Sequence, residues 1–211
     1  GGLAPPVALW PNPAASDDPS PHSGLPMARS ALLNVMVAAA TKAGRGLARD
    51  FGELENLQVS RKGPGDFVSA ADKRAEKTIR AELEKARPGY GFLMEESGAT
   101  SGTDDQHRWI VDPLDGTTNF LHGMPIFSIS IALERQGTIV AGVVYNPVMD
   151  ELYVAERGSG AFVNDRRLRV AQRRDFDDCL LGTGIPHLGK GEHGRALREI
   201  RQVMGNAAGV R

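Results

Sequence analysis

The strongest constraint on the fold lies in residues 126–171, where five strand-like segments follow one another with little between them. In IFSISIALE, Phe127, Ile129, Ile131 and Leu133 alternate with Ser128, Ser130 and Ala132, the period of a strand with one buried and one open face. TIVAGVVYNP, ELYVAE, AFVND and RLRVA come next, joined by short turns that contain Gly or Asn-Asp. Links that short join neighbouring, antiparallel strands. Upstream, YGFLMEE and HRWIVD read as two further strands ending in acids.

The helices come before and after this run. Leu32, Met36, Ala39, Ala43 and Leu47 fall on one helical face, which Gly52 closes. Ala75, Ile79, Leu83 and Ala86 form a second face, stopped by Pro88-Gly89, with Glu76 and Arg80 expected as a pair on its outer side. After CLLGTG, a last amphipathic helix carries Leu197, Ile200 and Met204. Two helices, a mostly antiparallel sheet and the start of an alternating segment predict an α+β layered protein. Residues 1–26 stand apart: they hold seven of the thirteen prolines and no periodicity. They read as a disordered or non-native extension ahead of Met27.

Composition narrows the partners. A net charge of -1 gives no reason to expect nucleic acid or an anionic membrane surface. No apolar run approaches the roughly 20 residues that a bilayer needs. Cys179 is the single cysteine, so an intrachain disulfide is impossible and a reducing, cytoplasmic setting is expected. Cys179 itself reads as a small buried hydrophobe.

Acids cluster at the ends of elements: Asp66 and Asp72 before the second helix, Glu95 with Glu96, and Asp112 with Asp115. Hard divalent cations take oxygen ligands, and Mg2+ takes few carboxylates together with water and phosphate. Glu95 and Asp112, on neighbouring strand ends, suit one ion; Asp115 suits a second ion that shares Asp112. Pro113 bends the chain and can turn the Leu114 carbonyl inward. Two ions roughly 4 Å apart would clamp the oxygens of a phosphoryl transfer. Gly116 permits close approach, and a helix starting in GTTNFLHG would aim free amides at an anion. Thr117 can orient a water, with Asp72 supporting its hydroxyl and Glu95 taking the water's proton. Plainer readings stand beside these. DGTT serves equally as a turn with a helix cap, Glu95-Glu96 as a solvated turn and Asp66 as a turn former. His122 reads as a hydrogen-bonded structural histidine and Lys62 as a solvated loop residue.

GDFVSAAD, MEESG and WIVDPLDGTTNFLHGMPIFSISIAL, continued by GVVYNPVMDELYVAERGSGAFVNDRRLRVA, resemble the inositol monophosphatase family of magnesium-dependent, lithium-sensitive phosphatases. The likeness runs from about Leu32 to the end of the chain. It implies an α-β-α-β-α sandwich of the sugar-phosphatase type and hydrolysis of a myo-inositol monophosphate by metal-activated water. It implies Glu95, Asp112, the Leu114 carbonyl and Asp115 as ligands of Mg2+. Glu95, Thr117 and Asp72 would be catalytic, and Asp115, Gly116 and Thr117 would hold the phosphate. Glu96 and Asp66 would lie near the site. It further implies a metal- and phosphate-binding lobe over residues 27–170, the start of a substrate lobe over residues 171–211, and a homodimer.

One part of the family pattern has no counterpart. A further metal-binding aspartate follows a tryptophan in the family's C-terminal lobe, whereas Trp10 and Trp109 are the only tryptophans here and neither precedes aspartate. The expectation is a fragment or a truncated product whose second sheet is incomplete. Three rival readings follow. Related phosphatases act on nucleotide bisphosphates or sugar phosphates. Haloacid-dehalogenase-like phosphatases use an aspartyl nucleophile two residues before a second aspartate, against the three-residue separation of Asp112 and Asp115. A truncated, non-catalytic chain would instead dimerise or regulate, as some bacterial relatives do in contacting the transcription machinery.

Overall fold

The structure, a computed structural model, describes residues 29–53, 59–63, 66–184 and 191–211, with the backbone alone for 59–63 and 66–69. The extension at 1–26 and the side chains of Lys62 and Asp66 lie outside the described residues. Helix α1 (Ala31–Gly52) leads into the hairpin β1 (Val59–Gly63) and β2 (Asp66–Ser69), then helix α2 (Ala70–Ala86). Strands β3 (Tyr90–Met94), β4 (Gly98–Thr100) and β5 (Asp104–Asp115) precede the short helix α3 (Thr117–Leu121). Then come β6 (Ser128–Arg135), β7 (Thr138–Asn146), β8 (Glu151–Glu156), β9 (Gly160–Val163) and β10 (Arg166–Arg167). The chain closes with β11 (Leu180–Leu181), α4 (His193–Met204) and β12 (Gly209–Val210).

Eight strands form one sheet in the order β10-β9-β8-β7-β6-β5-β3-β4. The meander from β5 to β10 is antiparallel throughout, as the short turns require, and only β3 and β5 run parallel. Two of its turns are two-residue loops with positive φ at both positions, Gln136-Gly137 and Asn164-Asp165, the hairpin geometry that matches strand twist. Helices α1 and α2 pack on each other and on one face of the sheet. Between these layers lie Met36, Leu47, Ile79, Leu83, Trp109, Val111, Ile129, Ile131 and Val143, all buried. Ser30 caps α1 by accepting the Leu33 amide at 3.1 Å. Leu33, one position beyond the expected Leu32, takes the buried place.

Two features tie α1 down. A Cβ on Gly44 would stand 2.6 Å from the Tyr145 ring, so glycine lets α1 sit directly on the end of β7. Buried Asp50 receives Arg74 of α2 at 2.7 Å and Arg49 at 3.3 Å. Removing Arg74 would leave a poorly compensated buried carboxylate, on the order of 3 kcal/mol.

Three local expectations need correction. Glu76 does not pair with Arg80 on the outer side: Glu76 is buried, and the Arg80 guanidinium lies 4.8 Å above the Phe92 ring. Cys179 is half-buried, with its thiol 3.3 Å from the Asp175 carbonyl. His122 is exposed and ends α3 through its backbone amide. In the C-terminal part, β11 pairs in parallel with β12, and α4 carries Leu197 and Met204 exposed. Among the described residues, no helix is long and apolar enough to cross a membrane.

Candidate active site

The proline in the Asp112–Asp115 stretch determines where the two carboxylates point. In a regular strand, residues three apart face opposite sides of the sheet. Here the register shifts: Asp112 lies opposite Ser130 and Asp115 opposite Ser128. Three steps on β5 therefore match two on β6, a bulge of one residue. Pro113, which has no amide to give to the ladder, sits inside it. Because Ser128 and Ser130 share a face, Asp112 and Asp115 share it too. The buried positions Val111 and Leu114 fall to the helix side.

The bulge is held by its own side chains. The Leu114 amide donates to Asp112 Oδ1 at 3.1 Å, and the Thr117 hydroxyl donates to the Leu114 carbonyl at 2.9 Å. Gly116 precedes α3 with φ +86°, and a Cβ there would stand 2.9 Å from the Ile126 carbonyl. Only glycine fits both the conformation and the space. Phe120 anchors α3 edge-on against Phe127, at 5.0 Å between ring centroids. Asn119 closes the following loop through the Ile126 carbonyl at 2.8 Å. The first turn of α3 therefore presents amides that no helix bond uses, beside the acids.

Glu95 arrives from the neighbouring strand. Residues 95–97 form the turn of a tight hairpin in which Met94 pairs with Gly98. Sequence reading placed acids at a strand end but missed both the hairpin and β4. The Glu95 amide donates to the Val111 carbonyl at 3.1 Å, and the Glu96 amide donates to Glu76 Oε2 at 3.0 Å. Glu76 was assigned to the solvent face in the sequence because its partner lies 20 residues away. The signal that marked it is its place four residues after Asp72 on one helix face. Asp72, in the first turn of α2, is 1% exposed.

The electrostatics are those of crowded acids. Burial, the facing Glu95 carboxyl and the Asp115 charge raise Asp112 from 3.8 to about 7, against a smaller lowering by the Leu114 amide. Carboxylates forced together in this way are the donor set that a hard divalent cation relieves. Among the described residues, no three His, Cys, Asp or Glu side chains close round an ion unaided. The arrangement suits a cation that completes its shell with a carbonyl, water and phosphate. Glu95, Asp112, Asp115, Gly116 and Thr117 are thus gathered at one end of the sheet. Asp66 begins β2, whose backbone lies against α3. The Thr117 hydroxyl is directed at Leu114, not at Asp72.

A sheet covered by a helix pair, with its acids gathered beside the start of a short helix, places the chain in the class of layered α+β phosphatases. The chain belongs to the inositol monophosphatase family, whose pattern it matches over residues 28–202. It is 72% identical over 185 residues to a Mesorhizobium japonicum protein named inositol-1-monophosphatase, with 88% of this chain and 70% of that relative covered. It is 44% identical over 155 residues to the Nus factor SuhB of Pasteurella multocida, covering 74% of this chain and 58% of that relative. The crystal structure of extragenic suppressor protein suhB from Bartonella henselae superposes with a TM-score of 0.83 at 65% identity, over 86% of this chain and 70% of that one.

Proposed function

We propose that the protein hydrolyses a phosphate monoester, a myo-inositol monophosphate, with Mg2+ held by Glu95, Asp112, Asp115 and the Leu114 carbonyl. The observation that carries this reading is the one-residue bulge, which turns two carboxylates onto one face directly before the start of a short helix. A divalent cation there would supply Lewis acidity, stabilising charge on phosphoryl oxygens and easing deprotonation of a nearby water. The chain's own groups do the rest. The amides of Gly116 and Thr117 hold the phosphate. Thr117 orients the attacking water, and Glu95 takes the proton that the water gives up. The new P–O bond forms as the ester P–O bond breaks, and the departing alkoxide is protonated by solvent.

A hydroxyl has one proton to give, so the Thr117 bonds to Leu114 and to Asp72 are alternatives. Asp72 serves the reaction by accepting that proton when Leu114 does not. Lithium inhibition, a homodimer and a cytoplasmic setting complete the proposal. It is supported by the identity with relatives named inositol-1-monophosphatase, which is higher than with the Nus factor relative. The test is phosphate release from myo-inositol 1-phosphate by this chain, with and without Mg2+ and Li+, beside Asp112→Asn. Release that needs Mg2+, is blocked by Li+ and disappears in Asp112→Asn is the expected result. No release from the folded chain would contradict the catalytic reading for these 211 residues, and release from a chain extended through the Trp-Asp segment would then separate a fragment from a regulatory protein.

A further inference from the structure

Resting on the metal reading above, we infer that Glu76 is a positioning residue: from helix α2 it fixes the Glu95 carboxylate for the cation by holding the Glu96 amide. Glu95 sits between two amide bonds. Its own amide is held by the Val111 carbonyl of β5 at 3.1 Å, and the next amide is held by Glu76 Oε2 at 3.0 Å. Together these fix the peptide planes on both sides of the Glu95 Cα, and hence the direction of its side chain. Without the second bond, the Glu95–Glu96 peptide can rotate at the tip of a three-residue turn.

The cost of this arrangement points the same way. Glu76 is 9% exposed, and no cation pairs with it among the described residues. Burying a carboxylate costs desolvation that one amide bond offsets only in part. What the carboxylate provides is a charge-assisted acceptor for one backbone amide. Asp72 is buried one helical turn earlier on the same face. Helix α2 therefore carries two buried acids on one face, and Glu76 is the one that reaches the Glu95–Glu96 turn.

The experiment is calorimetric titration of Mg2+ into the full chain, alongside its melting temperature without metal. Glu76→Met keeps the volume and removes the acceptor. It is expected to weaken Mg2+ binding about 10–100-fold, the usual scale for a residue that orients a metal ligand. Its metal-free melting temperature should stay level or rise, because a buried charge is gone. Glu76→Gln retains an acceptor oxygen and should recover most of the affinity. Glu76→Asp keeps the charge but withdraws the acceptor, and it decides the matter should the methionine variant not fold. Wild-type affinity in Glu76→Met or in Glu76→Asp overturns the inference, as does weakening only in step with a lower metal-free melting temperature. A wild-type chain that takes up no Mg2+ overturns the metal reading itself, and this inference with it.

Discussion

The two acid-bearing turns of the site are built in opposite ways. The Asp112–Thr117 turn is held from within: the Leu114 amide bonds Asp112, Thr117 bonds Leu114, and Gly116 supplies the positive φ. The Glu95–Glu96 turn is held from outside, by Val111 of β5 and by Glu76 of α2. A turn fixed by its own residues carries its geometry wherever the segment folds. One fixed by distant elements exists only once the sheet and helix have docked. Damage to the first should therefore cost stability and activity together. Damage to the second should separate them.

Gly116→Ala is the most severe test of the first half. The added carbon meets the Ile126 carbonyl at 2.9 Å in a left-handed backbone, a strain on the order of 2 kcal/mol. Melting temperature and phosphate release should both fall, the latter roughly 100-fold, as when one preorganised donor is removed. Unchanged release would show that the amides of α3 do not hold the phosphate. Thr117→Val comes next, losing the bond to Leu114 at about 1 kcal/mol and the hydroxyl that orients water. Thr117→Ser should stay close to wild type in both stability and release, and a serine variant as impaired as valine would deny the hydroxyl its role.

The acids supply a pH test. Asp112 is raised from 3.8 to about 7 in the folded chain. The folded state therefore keeps a proton that the unfolded state releases, and stability is lost as pH rises from about 4 to about 7. Metal-free melting temperature should decline across that window for the wild type and less for Asp112→Asn. Parallel curves would remove Asp112 as the cause. The smallest effect belongs to Pro113→Ala. With the bulge still pinned through Asp112 and Thr117, the loss should stay within about 1 kcal/mol, read as a small drop in melting temperature. A larger loss would make the proline, and not the side-chain ties, the determinant of the bulge.

The same contrast explains what was legible in the sequence. Period-two alternation in residues 127–133 marked β6, and the Asn164-Asp165 turn marked a hairpin, because strand and turn chemistry are local. DPLDGTT was legible as a candidate site for the same reason. The bulge itself was not: it appears only in the register between β5 and β6, which neither strand specifies alone. Glu76 was misread because helix periodicity gives the face but not what the face meets. Cys179 was misread as buried because CLL resembles a core strand in composition, whereas Phe176 and Leu180 on either side of it are exposed. The parallel pairing of β3 with β5 needed the β4 hairpin, too short at Gly98–Thr100 to announce itself.

The most direct measurement is an anomalous difference map from a crystal of this chain soaked in Mn2+, an ion with the ligand preferences of Mg2+. A peak bounded by the Glu95, Asp112 and Asp115 carboxylates and the Leu114 carbonyl is the predicted result. No peak there at full soaking, or ions bound only at other acids, would contradict the claim that the bulge exists to hold a metal.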